Sequence, residues 1–138
     1  MREILFRGKT KAITGCPYNN GKPDGEWVFG YVFPDLGAVK IRQYETDRPE
    51  YNDYEVDPET VEQYTGGTDK NRTMIFEGDI LRDDDAEENG VVVFKESEFC
   101  VVFDNVITHG IPDSCYIRGN IHDNPEMLSI KKGDIDND

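Results

Sequence analysis

The chain has 138 residues, a length that suits about one domain and buries roughly two thirds of its unfolded surface. Hydrophobic residues make up 36% and aromatic residues 11%, which excludes a disordered chain and predicts a packed core. The formal net charge of −14 repels phosphate backbones over most of the surface and disfavours general nucleic-acid binding.

That charge is unevenly placed. Residues 1–48 carry +2, residues 49–90 carry −11 and residues 91–138 carry −5. No apolar run approaches the ~20 residues of a membrane span. The N-terminal MREILFRGKTK lacks the apolar stretch of a signal peptide. A cytoplasmic location and no membrane contact are therefore expected. Cys16, Cys100 and Cys115 form no CxxC pair, so reduced thiols are expected, with Cys100 in the core.

Along the chain, EILFRGK (3–9) predicts a first strand. The Gly-, Pro- and Asn-rich stretch from Thr14 to Gly25 predicts a loop. GEWVFGYVF predicts a second strand with Trp27, Phe29 and Tyr31 on one face at period two. Core packing is the expectation for Trp27, and Gly30, on the other face, suggests a bulge or close backbone approach. LGAVKIRQY (36–44) predicts a third strand. The polar, Pro-containing TDRPEYNDYE (46–55) reads as a loop in which Tyr51 and Tyr54 cover a core or an interface.

Asp57-Pro58-Glu59 has the order of a cap, a first helical residue and an acid at the positive end of the dipole, so one turn is expected there. TGGTDKN, with Gly66, reads as a connection. MIFEGDIL reads as strand, turn and strand, with Gly78 free to adopt unusual backbone angles and Asp79 able to bind neighbouring amides. DDDAEENG, with Asp83, Asp84 and Asp85, is an acidic hairpin loop. GVVVFKESEFCVVF folds back at KESE as two strands. DNVITHGIPDS is irregular and CYIRGNI is a last strand. DNPEML starts a short helix with Asp123 or Asn124 as cap and Pro125 at its first position.

Signs of chemistry are sparse. Glu77 and Asp79 flank Gly78, and a structural turn accounts for them better than an acid/base pair. His109 and His122 have no HxH or HxxxH spacing. Counted from Asp83, the EF-hand template fails, with Glu88 where Gly is required. No phosphate-binding, dinucleotide, nucleophile-elbow or zinc-protease motif occurs. No catalytic residue, metal or cofactor is assigned.

REILFRGK with EWVFGYV, VDPETVEQYTGGTDKN, IFEGDIL and YIRGNIHDNPEML occur in an order that resembles the YopX family of bacteriophage and prophage proteins. The resemblance implies a phage or prophage origin, a bacterial cytoplasm, a β-rich fold with barrel character and self-association. Family members commonly show Gly after DKN. Here Arg72 follows, so a positive φ is expected to fall on Asn71.

The expected architecture is mainly β. Residues 1–55 would supply N-terminal strands packing on a small SH3-like β-barrel domain of residues 56–138, with short helical turns. The leading reading is a non-enzymatic module that binds a host or phage protein and forms a homo-oligomer. Trp27, Phe29, Tyr31, Tyr51, Tyr54 and Tyr64 serve as core or interface, and Asp83, Asp84 and Asp85 as an exposed acidic feature. Asp57, Pro58, Gly66, Gly78, Asp79 and Pro125 are read as structural turn residues. A second reading is nucleic-acid binding through Arg2, Arg7, Lys9, Lys11 and Arg42 with aromatic stacking. A third is an enzyme built on dispersed acids and His122.

Overall fold

The computed structural model describes residues 5–11, 19–44, 50–84, 87–104 and 106–128. Among these residues ten strands occur in chain order: β1 (Phe6–Lys9), β2 (Trp27–Asp35), β3 (Ala38–Tyr44), β4 (Tyr51–Glu55), β5 (Glu62–Thr68), β6 (Met74–Phe76), β7 (Asp79–Asp83), β8 (Glu88–Lys95), β9 (Glu98–Val102) and β10 (Tyr116–Asn120). Two single 3₁₀ turns, Pro58–Thr60 and Pro125–Met127, complete the elements. The fold is mainly β, as the alternating patterns predict. Two compact units divide the chain, Met1–Tyr64 and Thr65–Asp138.

In the first unit the strands lie in the order β4-β3-β2-β1-β5, with antiparallel pairing throughout. The inner face gathers Val28, Ile41, Tyr54 and Val56, flanked by Val32, Val39 and Val61. Residues 51–55, expected as loop, form β4. Their polar composition reflects an outer strand, which needs apolar side chains on one face alone, and Tyr54 opposite Ile41 supplies it. The face of β2 that packs is Val28, Gly30 and Val32. Trp27 is half-buried and Phe29 and Tyr31 are exposed, which corrects the expected core role of Trp27.

Gly30 marks the place where β2 changes partners. It is the last residue paired with β1, opposite Phe6, and Tyr31 begins the pairing with β3. A Cβ at Gly30 would sit 1.9 Å from the Arg42 carbonyl oxygen. The close backbone approach expected from the sequence is therefore present.

The outer margin of β4 is covered by side chains. The two-residue turn Asn20-Gly21 holds Asn19 opposite Lys22, and both central residues have positive φ. From this turn the Asn19 amide donates to the Glu55 carbonyl at 2.6 Å, and the Asn20 amide donates to the Asp53 carbonyl. The Glu55 carbonyl also accepts the Lys11 amide at 2.9 Å, and the Asp53 carbonyl on the outer margin is occupied by a side chain.

The second unit contains the sheet β10-β7-β8-β9. Its core is Ile75, Leu81, Val92, Phe99, Val101, Phe103 and Cys115, with Ile111 and Ile117 against it. The sheet is open among the described residues, not the SH3-like barrel that was expected. Of the strands in residues 56–138, β7 to β10 make this sheet while β5 pairs with β1, so the expected ring of strands does not form. The outer side of β9 is met by the segment after it. Thr108 donates its amide to the Val101 carbonyl at 3.0 Å and accepts the Val101 amide on Oγ1 at 3.0 Å.

Three stretches singled out in the sequence are joined by hydrogen bonds in this unit. Asp69 is buried; its Oδ1 accepts the amides of Asn71 and Thr73, each at 2.9 Å, and its Oδ2 accepts that of Ile117 at 3.0 Å. Gly78 (φ 87°) donates to the Val92 carbonyl, and its own carbonyl accepts from Ile121. Asp79 accepts the Phe76 amide at 2.8 Å. The stretch read as a connection is largely strand, β5, with Gly66 at φ 91°. The positive φ after DKN falls on Arg72 (67°) rather than Asn71. The Asp69 carboxylate grips the Asn71 amide, so the left-handed residue comes one position later.

Candidate interaction face

Antiparallel register decides which side chains share the outer face of the first unit. Arg7 lies opposite Phe29 and Lys9 opposite Trp27. Tyr31 lies opposite Arg42, which lies opposite Asp53. Phe33 lies opposite Lys40, which lies opposite Glu55, and Tyr44 lies opposite Tyr51. Period two then places Trp27, Phe29, Tyr31, Phe33, Tyr44 and Tyr51 on one side, interleaved with cations.

The rings are ordered by contact. Tyr31 meets Tyr44 edge-on at 6.2 Å, and Tyr44 meets Tyr51 at 5.4 Å. The Arg42 guanidinium lies 4.0 Å from the Tyr51 ring centroid and 5.2 Å from that of Phe33. Arg7 and Lys9 lie over Trp27 at 4.6 and 5.4 Å. Such ring and cation–ring contacts fix side chains that would otherwise lose entropy on binding. Phe29, Tyr31, Tyr44 and Tyr51 are nonetheless exposed, Tyr31 to 57%.

Arg7, Lys40 and Arg42 are already matched to carboxylates. Arg7 pairs with Glu62 at 2.9 Å and both are buried. Arg42 bonds Asp53 through Nε at 2.8 Å and Nη2 at 3.1 Å. Lys40 pairs with Asp35 at 2.8 Å. The hydrogen bond from Arg42 holds the Asp53 carboxyl below its usual range, and the hydrogen bond to Asp35 raises Lys40. The face is close to neutral in a molecule of charge −14.

Tyr54 and Tyr64 are buried, Tyr54 within the core. Asp83 is half-buried and Asp84 exposed, with Lys70, Arg82 and the Tyr116 hydroxyl around Asp84; Asp85 lies outside the described residues. Asp57 caps the first 3₁₀ turn by accepting the Glu59 amide, Pro58 is its first residue, and Thr60 Oγ1 accepts the Lys9 amide at 2.8 Å. Pro125 opens the second turn, where the Asn124 side chain accepts from Asn120 instead of capping.

His109 is exposed beside Glu98, and His122 is half-buried. Burial pushes the Cys115 thiol up, away from the reactive thiolate. Among the described residues no group of three or more His, Cys, Asp or Glu is placed to hold a metal. No described helix is long and apolar enough to cross a membrane.

Phe33 and Tyr44 were missed as members of the face. Their signal was present as alternation in YVF and KIRQY, but the partner strand β4 had been read as loop. Of the basic residues proposed for nucleic acid, Arg7, Lys9 and Arg42 lie on this face. Arg2 lies outside the described residues. The YopX protein family model matches residues 35–129, and none of the curated proteins matches this chain. The chain belongs to the YopX family.

Proposed function

We propose that this member of the YopX family is a non-enzymatic protein-interaction module. It is a phage or prophage accessory protein that acts in a bacterial cytoplasm on a host or phage protein. Its contact surface is the outer face of β1–β4. The observation that carries the reading is the row of exposed rings, Phe29, Tyr31, Tyr44 and Tyr51, on a face whose charges are internally paired. Tyr, Trp and Arg are the side chains that most often anchor protein interfaces, and the centre of such a patch is depleted in free charge. Self-association would use the same neutral face, because two copies of charge −14 repel elsewhere.

A second reading, single-stranded nucleic acid stacked on these rings, draws support from the interleaved cations. It would require Arg7 and Arg42 to leave Glu62 and Asp53 for phosphate. The test is capture of tagged protein from infected or lysogenic cells, with and without nuclease, beside a Tyr31→Ser/Tyr51→Ser variant. A protein that survives nuclease and is lost with the variant is the expected result. Partners lost on nuclease treatment would establish the second reading and overturn the first. Light scattering at high concentration tests self-association, and a monomer would remove that part.

A further inference from the structure

The turn between β2 and β3 is Asp35-Leu36-Gly37-Ala38, with Asp35 opposite Ala38. Its two central residues, Leu36 at φ 50° and Gly37 at φ 86°, are both left-handed. Asn, Asp or Gly suits the first of these positions, and a branched apolar residue is the exception. The other non-glycine residues with positive φ among those described are all polar: Asn20, Arg72, Glu87, Glu96 and Ser97. Leu36 is also the most exposed large hydrophobic residue described, with a relative accessibility of 102%. It thus combines backbone strain with complete exposure of an apolar side chain. A left-handed backbone and an exposed apolar side chain both disfavour the isolated fold, and such a position motivates a binding hypothesis.

The tip is rigidly mounted. Pairing of β2 with β3 is unbroken from Tyr31–Arg42 to Asp35–Ala38, and the Asp35–Lys40 ion pair at 2.8 Å clamps the last rungs. Pro34 fixes one more backbone angle just before the turn. An apolar knob on a preorganised hairpin loses little entropy when it enters a pocket.

We infer that Leu36 is an anchor that inserts into an apolar pocket, one leucine deep and rimmed by basic residues, on the protein partner. The basic rim follows from charge complementarity with a molecule of net charge −14. The inference rests on the protein-interaction reading above and adds the point of attachment.

A benzophenone amino acid in place of Leu36, with the exposed Glu59 as control position, is used to crosslink the chain in the bacterial cells that carry it. The crosslinked protein is then assayed for co-purification with the wild-type chain, Leu36→Asn and Tyr31→Ser/Tyr51→Ser. Leu36→Asn suits the left-handed turn better, so its Tm is expected to rise by about 3 °C for a chain of this size. The expected result is one discrete adduct at position 36 and none at 59. Recovery of that protein should fall at least about tenfold with the more stable Leu36→Asn chain. Absence of an adduct at 36, equal recovery with Leu36→Asn, or no gain in Tm overturns the inference. Recovery lost with the tyrosine variant but kept with Leu36→Asn leaves the interaction reading standing and removes this one. Recovery unaffected by either removes both.

Discussion

At Gly30 a single hydrogen atom decides the geometry of the first sheet, because a methyl group there would overlap the Arg42 carbonyl. Gly30→Ala is expected to lower stability by at least about 2 kcal/mol, read by urea unfolding. Gly67→Ala is the control: its Cβ would meet only the Thr65 hydroxyl oxygen, at 3.8 Å. It should change stability by no more than about 0.5 kcal/mol. Asp69 is the second decisive residue. Burial raises its pKa, but the amides of Ile117, Thr73 and Asn71 outweigh burial and leave the carboxyl below its usual range. A carboxyl depressed in the folded state adds stability above the unfolded-state value of about 3.9. That contribution is lost as pH falls through the folded value. Asp69→Asn is therefore expected to cost stability at pH 7 and to flatten the loss of Tm below about pH 4, measured against the wild-type chain.

At the scale of elements, the turns carry strain that their sequences do not advertise. The β8–β9 hairpin turns through Glu96 (φ 53°) and Ser97 (φ 69°), both left-handed without a glycine. Replacing them by Glu96→Asn and Ser97→Gly is expected to stabilise the chain by about 1–2 kcal/mol, seen as a higher urea midpoint with an unchanged slope. An unchanged midpoint would show that the hairpin gains from Glu96 or Ser97 something the backbone angles do not reveal. The outer margin of β4 gives the opposite case. Asn19 is buried and its amide holds the Glu55 carbonyl. The Lys11 amide also donates to that carbonyl, at 2.9 Å, so Asn19→Ala removes one of two bonds and should cost about 1 kcal/mol, read by urea unfolding.

For the whole molecule, charge is the dominant long-range term. The unit Met1–Tyr64 carries 8 basic and 12 acidic residues, and Thr65–Asp138 carries 7 and 17. Self-repulsion of this size is screened by salt, with a Debye length near 10 Å at 0.1 M. Tm is expected to rise by a few degrees between about 0.02 and 0.5 M NaCl, followed by circular dichroism. A falling Tm would mean that partly exposed pairs such as Arg42–Asp53 and Lys40–Asp35, which salt screens, matter more than the overall field. The first unit bears the smaller excess, and on its outer sheet face Arg7, Lys40 and Arg42 are each paired with a carboxylate.

Much of this organisation was legible in order. Alternation within WVFGYVF and AVKIRQY identified β2 and β3, the VVVF and FCVVF runs identified β8 and β9, and Asp57-Pro58 announced its turn. Local chemistry alone was enough, because strand period and cap geometry act over a few residues. β4 was illegible because an edge strand needs only one apolar face, so YNDYE reads as loop. The outer face was half legible. Period two placed Trp27, Phe29 and Tyr31 together, but which side faced the core depended on Val28 meeting Ile41 and Tyr54 across two other strands.

The sequence by itself determined the mainly-β class, the acidic charge and the turns at Asp57-Pro58, Gly78 and Glu96-Ser97, since each follows from composition or short-range geometry. Tertiary structure alone decided that the aromatic side of β2 lies outward, that Arg7, Lys40 and Arg42 are paired, that Asp69 ties β10 to the turn before β6, and that the strands form open sheets. Those outcomes depend on register between strands far apart in the chain, and no local pattern encodes register.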